Sequence, residues 1–317
     1  MRSLITPFIT RRWSSEQFQA KKIKVAMKAR NANIAQVFIA LDDPYSYLLL
    51  KGLEKIQQQN HILFHVHLIQ NRQAEMFPEP QMWQHWAKED AQHLADLYSI
   101  ELPTLIVNMD DALVVTHHFS HQDPTSIKSA IQLFELDTKR LTRLTETQKN
   151  TARDFLEAEE KILLDLGHYL PATVYYAGEF FWGLDRISHF ESRLLEHNRE
   201  KEIHQGLLFT KTYDDYCRAP KHLIQDKSKP VELYFSMRSP YSHLALNRCY
   251  KLCQHYDIPL VIKPVLPMLM RGLPVPKKKT QYIFFDTLRE SKKLGIEYGN
   301  VADPIGQGVR NCYAIWL

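Results

Sequence analysis

"VFIALDDPYSYLLLKGLEKIQQQNHILFHVHLI", residues 37–69, has a counterpart in the same chain, "LYFSMRSPYSHLALNRCYKLCQHYDIPLVIKPVL", residues 233–266. The two align without a gap at an interval of 196 residues. Pro44-Tyr45-Ser46 falls on Pro240-Tyr241-Ser242, Leu48 on Leu244, Ile56 on Leu252, Ile62 on Ile258 and Val66 on Ile262. Each copy reads as an apolar strand, an amphipathic helix opened by proline, and a second apolar strand. That is a βαβ unit, with parallel strands and a right-handed crossover, and its recurrence is an internal repeat.

Working outward, residues 80–100, 126–136 and 151–169 carry apolar side chains at helical spacing. Then "LPATVYYAGEFFWGLDRISHFESRL" (170–194) reads as strand, Ala-Gly turn, short strand and helix, with Gly178 suited to the turn and Asp185 to opening the helix. The order βαβ, helical insertion, ββα predicts a thioredoxin-like fold with a helical insertion over 33–198. Polar residues 199–229 read as a linker. A second copy over 230–317 has its βαβ unit and a helix at 280–296, then stops without a counterpart of 170–194. The expected class is therefore α/β, two tandem thioredoxin-like copies, the second incomplete.

A chain of 317 residues fits two domains. Its 44% apolar and 24% charged residues are those of a globular protein. Forty basic and 36 acidic residues, spread along the chain, give no strong case for nucleic acid or a membrane surface as partner. No apolar run reaches the roughly 18 residues of a membrane span. Residues 1–32 are basic and interrupted by Thr6, Pro7 and Thr10; they read as a solvated amphipathic leader, with a transit peptide as the alternative. Cys217, Cys249, Cys253 and Cys312 include no Cys-x-x-Cys pair, and read as ordinary thiols of a cytoplasmic protein. Cys249 and Cys253 share a helix face but lack further ligands for zinc.

"RSPYSHLAL" after a strand, and "YLPATVYYAGEFFWGLDRISHFE", carry a resemblance to the thioredoxin-fold group of bacterial disulfide oxidoreductase A, kappa-class glutathione transferases and 2-hydroxychromene-2-carboxylate isomerases. The segment from 264 to 296 resembles the isomerases' helical lid, with Lys279, Tyr282, Asp286 and Arg289 matching Lys-x-x-Tyr…Asp-x-x-Arg. The resemblance implies a glutathione-dependent isomerase or transferase acting on a small unsaturated or aromatic-derived carboxylate. It places the glutathione sulfur on Ser239, with Tyr241, Ser242 and Tyr282 around it; Arg271 with Lys277, Lys278 and Lys279 forms a basic patch that in a lid attracts a substrate carboxylate and in a solvated loop does nothing. It also implies a cis Leu170–Pro171 bond whose Leu170 backbone pairs with a peptide-like ligand.

Residue chemistry at the junction allows two readings. Ser before Pro is a helix cap: the hydroxyl accepts a backbone N–H and proline sits where no donor is needed. The same helix end also stabilises a thiolate. In the first copy Asp43 replaces the serine, beside Tyr45 and Ser46; a carboxylate repels a thiolate, so this copy is expected to be degenerate or to bind something neutral or cationic. Neither junction has the two cysteines of dithiol exchange, which counts against an oxidoreductase; a non-catalytic binding or scaffold protein is the other alternative. Trp182, Asp185 and Arg186 read as structural, "HHFSH" (117–121) as a solvated loop, and His65 with His67 as a half-buried strand pair. No metal is expected, glutathione is the expected co-substrate, and a homodimer stays open.

Overall fold

The structure, a computed structural model, describes residues 2–28, 33–60, 62–70, 76–77, 79–197, 207–210 and 226–315, and of residues 2–4 and 139 the backbone alone. Most of the expected linker, and Cys217, lie outside these residues. The chain divides into an N-terminal unit, Lys22–Phe209, and a C-terminal unit, Thr210–Leu317 together with Met1–Lys21. Helix α1 (Arg2–Ser14), in the segment read as a leader, thus groups with the C-terminal unit; α2 is Glu16–Ala26.

In the N-terminal unit, β1 (Ile34–Ile39), α3 (Pro44–Gln59) and β2 (Leu63–Leu68) form the expected βαβ unit, with β1 and β2 parallel from Ile34↔Leu63 to Ile39↔Leu68. Helix α3 starts where proline at its first position meets the Asp43 cap, whose side chain accepts the Ser46 N–H. Helices α4 (Pro80–Tyr98), α5 (Met109–Phe119), α6 (Ile127–Phe134) and α7 (Glu146–Leu166) follow. Helix α7 opens on a Thr145/Gln148 capping box and ends on left-handed Gly167. Strands β3 (Thr173–Tyr176) and β4 (Glu179–Trp182) make a hairpin, and α8 (Ile187–His197) closes the unit. Both turn residues, Ala177 and Gly178, have positive φ, which matches the twist of a two-residue hairpin.

The sheet order is β2-β1-β3-β4, with β3 antiparallel to β1. With helices inserted between β2 and β3, that is the arrangement of a thioredoxin-like fold. The strand period of two sorts the core: Val37, Ile39, Val66 and Leu68 pack with α3 and α8 residues on one face, while Phe38 meets Leu163 of α7 on the other. A fully buried aliphatic side chain of this kind contributes about 1.5–3 kcal/mol.

The C-terminal unit holds β5 (Val231–Phe235), α9 (Pro240–Tyr256) and β6 (Leu260–Pro264), then α10 (Lys277–Leu294) and α11 (Gln307–Ala314). Strands β5 and β6 pair in parallel from Val231↔Leu260 to Phe235↔Pro264 and form a two-stranded sheet.

Three local expectations are corrected. Among the described residues no peptide bond is cis, so Leu170–Pro171 is trans. The chain turns into β3 at Ala172 instead, which takes φ 53° and accepts the Gly183 N–H at 2.7 Å. His117 and His118 lie in the last turn of α5 rather than in a loop, because the Asn108 side chain caps Asp110 and Asp111 N–H and acidic residues fill that first turn. Asp185 does not open α8; it sits in a 3₁₀ turn, Leu184–Arg186, after Gly183 at φ 68°.

Candidate functional site

Both helix junctions are built alike. Asp43 Oδ2 accepts from Ser46 N at 2.9 Å and from Ser46 Oγ at 2.7 Å, and Ser46 Oγ accepts from Ala40 N at 3.0 Å. At the interval of 196 residues, Ser239 Oγ accepts from Ser242 N at 3.3 Å, and Ser242 Oγ accepts from Ser236 N at 3.2 Å. The next contact was not anticipated. Tyr45 Oη donates to Asp90 at 2.7 Å, and Tyr241 Oη donates to Asp286 at 2.8 Å, so the same interval joins α3 to α4 and α9 to α10. Further along, Ile100 N bonds Ala95 O as Ile296 N bonds Ser291 O, each beyond a left-handed C-cap, Ser99 and Gly295.

The two junctions differ in what surrounds them. In the N-terminal unit Asp43, Ser46 and Tyr45 are buried. Tyr45 meets Trp182 at 5.3 Å and Trp83 at 6.5 Å, and Met76, Phe77, Tyr169 and Leu170 pack around those rings. Aromatic side chains thus cover this helix start, and Leu170 and Pro171 are buried there. Burial first, then the Asp90 carboxylate, pushes the Tyr45 phenol far above its ordinary pKa.

In the C-terminal unit Ser239, Tyr241 and Ser242 are half-buried. The residue one interval after Trp83 is Lys279. Lys279, Tyr282, Asp286 and Arg289 recur at helical spacing on α10, the face that Asp286 turns toward Tyr241. Arg289 Nη2 holds the other Asp286 oxygen at 3.2 Å. Lys279 is half-buried, and burial lowers its ammonium pKa. Lys277, Lys278 and Lys279 occupy the first turn of α10, where the helix dipole favours anions, and no acidic residue is there. Arg271 is exposed, at the end of a 3₁₀ turn, Met268–Arg271.

The β5–α9 loop is held from outside as well. Tyr313 Oη of α11 accepts from Met237 N at 3.2 Å and donates to Val265 O at 2.5 Å. Arg238 forms an ion pair with Asp303, both side chains nearly buried. His243 Nε2 lies 3.0 Å from Glu297 O. Sequence reading missed Tyr313, Arg238 and Asp303, which lie far apart in the chain and follow no period. Cys249 and Cys253 lie on α9, and burial raises both thiols; neither is at the helix start. Among the described residues no cluster of three His, Cys, Asp or Glu could hold a metal ion, and no helix is long and apolar enough to cross a membrane.

The class that the fold defines is a mixed α/β protein with a thioredoxin-like N-terminal unit. No family model matches the chain, and neither does any curated protein. Among solved structures the chain is similar to a selenomethionine form of 2-hydroxychromene-2-carboxylate isomerase, at 16% identity and TM-score 0.41, over 55% of this chain and 100% of that one. A likeness of that extent carries no argument about chemistry.

Proposed function

We propose that the two units are tandem copies of one ancestral thioredoxin-like fold and that the C-terminal copy carries the working site. The paired cap and Tyr–Asp hydrogen bonds, recurring at one interval, support the first part. The working site binds glutathione as co-substrate and serves an isomerase or transferase acting on a small unsaturated carboxylate. One observation carries this reading: a half-buried, serine-capped helix start whose partner helix brings a half-buried Lys279, where the N-terminal copy has a buried Asp43 and packed Trp83.

The residues fit a thiol there. Ser239 Oγ spends a lone pair on Ser242 N–H and keeps its own hydrogen to donate to a sulfur. The start of α9 adds backbone N–H groups and partial positive charge, which favour the thiolate. The Tyr241–Asp286 bond fixes α9 against α10. Lys279 and Arg271 are the candidates for a substrate carboxylate, and an anion beside Lys279 would offset the burial that lowers its pKa. A bound thiol supplies a nucleophile that adds to the conjugated double bond, permits rotation about it and leaves again.

A second reading, a non-catalytic binding protein, is favoured by the trans Leu170–Pro171 bond and the filled first site. Titration calorimetry of the full chain with glutathione separates the two. Binding in roughly the millimolar range or tighter, weakened about fivefold by Ser239→Ala and about tenfold by Lys279→Met, fits the first reading. Absence of heat at saturating glutathione leaves the second.

A further inference from the structure

Helix α1 is tied to the segment that precedes α11. Thr10 is buried; its Oγ1 accepts the Val301 N–H at 3.1 Å and faces the Thr6 carbonyl at 2.9 Å. Trp13 lies 5.7 Å from Phe284 and 5.6 Å from Phe285 of α10. Phe284 in turn meets Tyr298 at 5.5 Å, and Tyr298 meets His243, in the first turn of α9, at 6.3 Å. Gly299 lies so close to α1 that an added Cβ would stand 2.5 Å from Ser14 Cβ, and its φ of +126° suits glycine. The same strap, 297–303, carries Asp303, which pairs with Arg238, and Glu297 O, which faces His243. Arg238 immediately precedes Ser239.

We propose that α1 is a positioning element of the Ser239 site: Thr10 and Trp13 fix the 297–303 strap, and the strap fixes the loop that presents Ser239 at the start of α9. This deepens the reading of Ser239 as the thiol-holding residue and rests on it. The contacts run from α1 to the strap at Val301 and Gly299, and from the strap to both flanks of Ser239, at Arg238 and His243. A basic N-terminal segment here works as part of a site built some 230 residues later.

The test uses the full chain with Ser239→Cys as a probe, which needs no glutathione. The pH profile of its alkylation by iodoacetamide reports whether the introduced thiol is held at the helix start. Its pKa is expected below the ordinary value of about 8.5. Adding Thr10→Val is expected to raise it by about half a unit and to speed amide exchange at 298–303 and 236–239 about fivefold. Thr10→Ser, which keeps the acceptor, is expected to restore both. Gly299→Ala, which wedges the strap away from Ser14, is expected to act in the same direction as Thr10→Val. A thiol pKa unmoved by Thr10→Val and Gly299→Ala overturns the proposal, even where exchange quickens, because the strap is then structural only. If the unsubstituted chain fails to bind glutathione, the functional reading falls while the thiol profile still decides this one.

Discussion

The same substitution made at the two ends of the 196-residue interval should have unequal consequences. Tyr241→Phe removes the hydroxyl that donates to Asp286, and Tyr45→Phe removes the one that donates to Asp90. Asp286 is 1% exposed, so water does not take the place of the lost donor. Arg289 sits on the other oxygen. The cost of such a loss is about 1.5–3 kcal/mol. Asp90 is exposed, water replaces the phenol, and the cost falls to about 0.5–1 kcal/mol. Both rings stay in place, so packing contributes little to either. Urea unfolding of the full chain, with pulsed hydrogen exchange assigning each transition to its unit, measures the pair. With a slope of about 2 kcal/mol/M, Tyr241→Phe should lower the C-terminal unit's midpoint by roughly 1 M. Tyr45→Phe should move the N-terminal unit's midpoint by less than about half of that. Equal shifts, or a larger one at Tyr45, would show that burial of the acceptor is not what sets the value of these bonds.

Glu191 is buried and accepts from Leu208 N at 2.6 Å and Phe209 N at 3.1 Å; Glu191→Ala should cost about 3 kcal/mol and expose those two amides to exchange, and continued protection of both would contradict that. Gly178→Ala meets Ala26 Cβ at 2.8 Å at a φ of +79°, so it should destabilise the N-terminal unit by about 1–3 kcal/mol; an unchanged midpoint would count against the observed hairpin. Burial, reinforced by His67, lowers the His65 pKa below 6.5. The neutral ring is favoured in the folded chain, so this contribution is full above pH 6.5 and is lost as pH falls through the lowered folded value. His65→Gln should flatten that acid-side loss in a series of unfolding curves, and an unaltered slope would assign the loss to other groups.

The βαβ units were legible because two local signals agreed at each: strands of alternating or continuous apolar residues, and a proline behind an Asp43 or Ser239 cap. The hairpin was legible in the Ala-Gly dipeptide. The Tyr–Asp pairs were not, since 45 residues separate the partners and nothing local marks them. Asp90 and Asp286, like Ser99 and Gly295, nevertheless stand 196 residues apart, the interval that relates residues 37–69 to 233–265. Histidine content hid α5, although Asn108 and the acidic pair after it mark a helix start. The Thr10–Val301 contact spans 291 residues, and no periodicity reports a contact of that kind. The resemblance carried a cis proline into a site where Ala172 makes the turn instead.

At the interval of 196 residues several positions of the two units differ in kind. Gly52 of α3 lies against Ile187 and Leu184, where an added Cβ would come within 2.6 and 2.8 Å of their side chains; one interval on, the residue is Arg248. Phe38 is fully buried under α7, and its counterpart Tyr234 is 65% exposed. Trp83 gives way to Lys279 and Asp43 to Ser239. The exchanges at 38, 83 and 43 replace packing volume or a carboxylate by an exposed ring, a cation or a hydroxyl. A helix start crowded by Trp83, Trp182 and Phe77 has its surroundings filled with side chains and leaves little for a ligand to gain by displacing them. One flanked by Lys279 has instead a half-buried ammonium whose pKa burial lowers. The two helix starts therefore differ less in the Pro-Tyr-Ser motif they share than in their surroundings, aromatic rings at Asp43 and polar side chains such as Arg238, Asp303 and Tyr313 at Ser239.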